Sequence, residues 1–304
     1  MSDCDILNSI KNCQMRIAPY DEKKLTPVGY DFSFSRFIIS LKTKSFQKIF
    51  MVEDEMYFIL KPNETVLVLT NEAIWVSNEI GGTFHSRVSL VTQGLGHVST
   101  TLDPGWQGQL LIPINNLTKK DIKVTIGKKV TNNGEEIFEY DSFITLILYK
   151  AISPAIKPSC KKASRYEILK KIMTHKKSSR YNDDVSKAVA DMELEITKNE
   201  IDFTKVNSQN VEEYMKNFDK KYEYISRQND VIYNQVINKA TDKMTKNNKF
   251  YFVSIIFLMI VTVAFVFGLG YVKTELQWMS TALSTIMTAV YIVSIKPIRD
   301  YLEI

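Results

Sequence analysis

Near the end of the chain, hydroxyl-bearing side chains recur at a spacing that can do chemistry. Ser280, Thr281, Ser284, Thr285, Thr288, Tyr291 and Ser294 fall within about half of the circumference of a helix turning about 100° per residue. Such a face can line an aqueous path through an apolar barrier, or small polar residues can pack one helix on another. The usual signatures of hydrolytic, redox and nucleotide-hydrolysing sites are missing: there is no CxxC, HExxH, GxSxG or Walker-type glycine loop. His85, His97 and His175 are scattered, and Cys4, Cys13 and Cys160 lack metal-ligand spacing. We therefore expect neither a metal nor a cofactor.

The polar face needs a membrane helix to carry it. Residues 276–295 form an uncharged stretch of 20, weakened by its Ser and Thr; residues 250–272 form a stronger one of 23. The longer stretch reaches roughly 34 Å as a helix, enough for a hydrocarbon core of about 30 Å. Only Lys273, Thr274 and Glu275 separate the two, which predicts a hairpin with both outer ends on one side. Lys243, Lys246 and Lys249 precede it, and Lys296 and Arg299 follow it. The positive-inside bias places both termini in the cytoplasm and the hairpin in the inner (cell) membrane. One span plus a buried core helix is the alternative. The opening residues do not read as a signal peptide, and three unpatterned cysteines fit a reducing cytosol. The net charge of +5 is met by lysines beside anionic lipid and needs no nucleic-acid partner.

Upstream, the chain changes character at the linker SPAIKPS. Residues 1–153 hold short, β-branched runs such as YFILK, TVLVLT, AIWVS and FITLILYK, broken by turn signals at Lys61-Pro62-Asn63 and Asp103-Pro104-Gly105. That pattern predicts an all-β barrel or sandwich. Residues 154–249 hold the rest of this linker and then, from about Ala163, a helical, charge-rich stalk. Val211, Met215, Phe218, Tyr222, Ile225, Asn229, Ile232 and Val236 alternate steps of four and three, the spacing of a coiled-coil seam. Asn229 is its one polar member, a residue that costs stability and fixes register. An oligomeric stalk leading into residues 250–304 is expected; an amphipathic helix packed on the body of the protein has the same spacing.

Two further segments carry a family resemblance. ILNSIKNCQMRIAPYDEKKLTPVGYDFSFS places Pro19, Tyr20, Asp21, Tyr30 and Asp31 in order, and residues 64–116 contain HSRVSL and then TTLDPGWQGQLLIPINN. In this order and spacing, the N-terminal half resembles the dCTP deaminase/dUTPase superfamily. The resemblance implies a distorted β-barrel that assembles as a homotrimer, or a multiple of it, with nucleotide sites shared between subunits. It implies nucleotide-binding roles for Arg87, Ser89, Thr101, Asp103, Trp106 and Gln107. Arg87 would meet phosphate bidentately or form an interface ion pair. Asp103 would orient water, as in dUTPases, or contact sugar and hold structure, as in the deaminases.

The family's catalytic carboxylate falls at Pro113, which has no acid or base to offer. The serine after the arginine is Val88, a second basic position is Thr92, and the phosphate-meeting glutamine is replaced by Leu146. Lys161, Lys162 and Arg165 stand where a phosphate-clamping tail would begin, though a solvated linker fits them as well. The fold expected is thus a dUTPase-like all-β domain, a helical coiled-coil stalk and a C-terminal transmembrane helical hairpin. The function expected is a membrane effector in which a degenerate domain senses a nucleotide or oligonucleotide signal and controls a permeabilising hairpin. This combination resembles effectors of bacterial antiviral defence, which implies a nucleotide-synthesising enzyme as a candidate partner. A trimeric scaffold without ligand and a membrane-anchored nucleotide hydrolase or deaminase are the other classes.

Overall fold

The computed structural model describes residues 1–157 except 97–98 and 133–134, residues 166–174 and 209–235, and single helical positions at 187, 190, 191 and 194. The chain divides into two units, Met1–Asn238 and Lys239–Ile304. The second unit lies outside the described residues, and with it both expected spans and the face from Ser280 to Ser294. Among the described residues, no helix is long and apolar enough to cross a membrane.

The first unit is built on three antiparallel sheets, with strands numbered in chain order. The first sheet runs β10 (Leu95–Gly96), β12 (Gln107–Asn116), β8 (Thr65–Val76), β4 (Ile38–Ser40) and β5 (Ser45–Phe46), and β1 (Met15–Ala18) also pairs with β8. The second runs β11 (Thr101–Leu102), β9 (Ile80–Ser86), β15 (Ser142–Lys150), β3 (Gly29–Ser33) and β2 (Leu25–Thr26). The third runs β14 (Glu135–Tyr140), β13 (Ile122–Asn132), β7 (Glu55–Leu60) and β6 (Phe50–Val52). The expected all-β domain is present, but among the described residues the sheets do not close into a barrel. The physical reason lies at the edges of the first two sheets: β10, β5, β11 and β2 are two residues long and pair with no strand of another sheet. Short edges also leave little backbone to template aggregation. Helix α1 (Asp3–Lys11) opens the chain with a capping box between Ser2 and Asp5 and sends Ile6 into the core.

Strand β8 organises the interior. Its run TVLVLTNEAIWV is apolar at both parities, so both of its faces are buried. Val66, Val68, Ile74 and Val76 face inward, into a cluster with Phe34, Phe58, Phe84, Val124 and Leu146 from all three sheets. Leu67, Leu69, Ala73 and Trp75 face the other way, into a second cluster with Phe37, Ile39 and Phe46.

That outer cluster is completed by helices. Helix α3 (Tyr166–Thr174) contributes Leu169, after helix α2 (Val88–Val91) in chain order. The helix of residues 211–235 contributes Met215, Phe218, Tyr222, Ile225 and Tyr233. Val211 and Ile232 pack at its margin. The seam read as a coiled coil is therefore spent within the chain, on its own β domain, and the packed amphipathic helix is the arrangement observed. The reason is geometric: steps of four and three define an apolar stripe, and the outer face of β8 offers that stripe a flat apolar partner. Val236 lies outside the described residues.

Candidate functional site

Arg87 is placed at the end of β9, where the strand turns into the short helix α2, with its backbone extended. Its Nη1 donates to the carbonyl of Ser142 at 3.1 Å. The same nitrogen lies 3.5 Å from Oδ2 of Asp31 on β3, whose Oδ1 accepts from Thr145 Oγ1 at 2.6 Å. Arg87 thus forms an ion pair within its own chain, across β15. The arginine side chain keeps 38% of its exposure, so the pair contributes only about 0–1 kcal/mol.

Beside the pair lies an open cavity of about 270 Å³, lined by Phe34, Arg87, Ser89, Leu90, Gln93, Thr125, Asp141 and Ser142. Its volume approaches the lower end of small-ligand sites, about 300 Å³. Ser89 is exposed, and its carbonyl accepts from the Gln93 amide at 2.8 Å. Burial pushes the Asp141 carboxyl up from its ordinary value, while Arg87 and Lys128 draw it down. Asp31 and Asp141 thus both stand near the one arginine. Sequence reasoning missed Asp141, Thr125 and Gln93, which no pattern in the chain sets apart.

The other expected residues sit elsewhere. Thr101 pairs with Thr83, and Leu102 with Gly82. Asp103 follows Leu102, whose partner Gly82 lies five residues along β9 from Arg87, roughly 16 Å at about 3.3 Å per residue. Within one chain the two do not share a site. Asp103 is exposed and accepts from Thr101 Oγ1 at 3.3 Å. Its carbonyl accepts from the Trp106 amide at 3.1 Å, closing the turn, while Gly105 adopts φ 78°, a left-handed conformation that suits glycine. Trp106 is 6% exposed, belongs to the inner cluster, and donates its ring N–H to the Gly108 carbonyl. It ties this turn to the core. Gln107 is half-buried and pairs with Trp75.

Of the departures from the family pattern, Val88 is exposed, Leu146 is fully buried in the core, and Thr92 is exposed on the loop after α2. Pro113 lies on β12 opposite Leu67 of β8, half-buried, on the face away from Ile112 and Ile114 of the inner cluster. Lys161, Lys162 and Arg165 lie outside the described residues.

Comparison with known proteins gives this architecture a family. The model of the dCTP deaminase-like family matches residues 1–132. The dCTP deaminase of Pyrococcus abyssi is 31% identical over 109 residues, 36% of this chain and 68% of the relative. The dUMP-forming dCTP deaminase of Streptomyces coelicolor is 28% identical over 183 residues, 55% of this chain and 89% of the relative. Through its N-terminal region, the chain belongs to the dCTP deaminase-like family. Among solved structures, the dCTP deaminase of Agrobacterium tumefaciens aligns with a TM-score of 0.36 and 9% identity, over 49% of this chain and just under half (47%) of that one. The native EIAV dUTPase aligns with a TM-score of 0.30 and 16% identity, over 47% of this chain and 94% of that one.

Proposed function

We propose that this chain is a membrane effector whose dCTP deaminase-like domain binds a nucleotide or oligonucleotide without turning it over. The observation that carries this reading is Pro113, which stands where the family resemblance puts the proton-shuttling carboxylate. Binding would couple to the hairpin of residues 250–295, placed in the cell membrane with both termini in the cytoplasm, and its polar face would form the path across. Because Arg87 and Asp103 lie far apart in one chain, a complete nucleotide site draws them from different copies, as the trimeric relationship implies. A nucleotide-synthesising enzyme is the natural source of the signal, as in antiviral defence.

The test is made on the full chain in detergent, with dCTP, dUTP and a set of cyclic oligonucleotides. Equilibrium dialysis should find binding to at least one of them, and chromatography should find dCTP and dUTP unchanged. Turnover of either that disappears in Asp103→Asn would replace the sensor with a membrane-anchored enzyme. Binding of none would leave the trimeric scaffold.

A further inference from the structure

The helix of residues 211–235 rests on the β domain in a way that leaves part of it badly served. Asn229 is buried to 1% exposure, and neither its Nδ2 nor its Oδ1 has a hydrogen-bond partner among the described residues. A buried amide without partners opposes the arrangement that buries it. Close by in the sequence, Asp230 accepts a hydrogen bond from the Tyr140 hydroxyl. Arg36, 8% exposed, stacks between the rings of Phe138 and Tyr233 at 5.0 and 4.4 Å, its Nε and Nη1 without hydrogen-bond partners among the described residues.

What holds the helix down is a polar flank beside the apolar stripe. Asp219 accepts both Nε and Nη2 of Arg16, at 2.8 and 2.5 Å. Ser226 donates to Asn71 Oδ1 at 2.5 Å, and the Tyr233 hydroxyl accepts from the Ile49 amide at 2.8 Å. These three positions are seven residues apart, so they form one line along the helix, next to the stripe of Met215, Phe218, Tyr222, Ile225, Asn229 and Ile232.

We propose that this helix has a second partner, the same helix of another copy of the chain, and that docking on the β domain and pairing between copies exclude each other. Both arrangements use the same stripe, and Tyr222 and Ile225, 2% and 1% exposed, cannot face two partners at once. In a parallel, in-register pair, Asn229 takes an inward heptad position opposite its counterpart, where two amides satisfy each other. That pairing supplies the partner that the docked state withholds. The flanking positions Asp219, Lys221, Ser226, Gln228, Tyr233 and Gln235 set no like charges against each other across such a pair. The inference needs neither a nucleotide nor a membrane and stands apart from the proposed function.

Disulfide trapping in the full chain tests it, in a background with Cys4, Cys13 and Cys160 replaced by Ser. Ile225→Cys places a thiol on the stripe, and Arg227→Cys places one on the exposed face as a control. The releasing changes, Arg16→Gln with Tyr140→Phe, lie on the β domain and leave the helix sequence intact. Asn71→Ala is a milder release. On oxidation, the disulfide-linked dimer through Ile225→Cys should rise at least fivefold with the double release and about twofold with Asn71→Ala. Dimer through Arg227→Cys should stay level, and Asn229→Glu added to the released chain should reverse the gain. No rise at Ile225→Cys with either release, or an equal rise at Arg227→Cys, would overturn the proposal.

Discussion

The two faces of β8 are both buried, yet they are closed differently. The inner face meets apolar side chains from every sheet, linked by strands whose backbone pairing runs through the same residues. The outer face meets helices that come from beyond the linker, and its margin carries Arg36, Asp230, Tyr140 and the orphaned Asn229. Burial without polar defects makes an interface that unfolds only with the domain. Burial with defects makes one that can open while the domain stays folded.

Truncation on the two faces should therefore give different kinds of loss. Phe58→Ala, in the inner cluster, should cost about 3–5 kcal/mol. It should lower the unfolding midpoint of the whole domain in denaturant. Phe218→Ala, on the outer face, removes a comparable ring and should cost docking about 3 kcal/mol. Hydrogen exchange is the distinguishing measurement. Amides of residues 211–235 should lose protection in Phe218→Ala while those of β8 and β12 keep theirs. Equal loss in both regions would mean that the two faces form one cooperative unit.

A smaller effect sharpens the same contrast through pH. Burial raises the Asp230 carboxyl above its ordinary value, and the Tyr140 hydrogen bond and Arg36 only partly offset it. Tyr233 and Tyr140, on the same junction, are themselves raised by burial and stay neutral in this range. A carboxyl raised on docking favours the docked state when protonated. Its contribution is complete below the ordinary carboxylate value and is lost as pH rises through the raised value. Helix protection should fall as pH rises across that window, and Asp230→Asn should flatten the profile. An unchanged profile in Asp230→Asn would remove this residue from the account.

The sequence shows the strands, their turn signals and the apolar stripe, because periodicity is local. The stripe's own spacing does not show what it faces, because four-three steps fit a sheet as readily as a second helix. The double parity of TVLVLTNEAIWV carried that information, since a strand apolar on both faces must be covered on both. At the candidate site, Arg87 and Ser89 are legible from type and order. The Asp31 pairing and the Asp141 wall are not, because they arrive on β3 and beside β15 through sheet register alone. Trp106 is plain in its motif, while its burial in the core is set by the packing of the sheets.

Asp31 supplies the smallest expected change. Asp31→Asn frees Arg87 from its ion pair while keeping the shape of the Thr145 contact. Nucleotide binding should tighten severalfold, in line with a pair contributing up to about 1 kcal/mol. Arg87→Ala should weaken it, and titration of the two variants with the same nucleotide checks both directions. Equal affinity in Asp31→Asn, Arg87→Ala and the parent would take Arg87 out of the binding site.

Whether a bound nucleotide opens the proposed membrane path without being consumed is decided in liposomes carrying the full chain. Ion flux and nucleotide composition are followed in the same sample. Flux should begin on adding the nucleotide found by dialysis, while that nucleotide remains intact at the end. Ser284→Leu with Thr288→Leu should abolish flux and leave insertion unchanged, because Leu is favourable in hydrocarbon. No flux under any nucleotide, or flux that survives both leucines, would show that the hairpin is not a nucleotide-gated path.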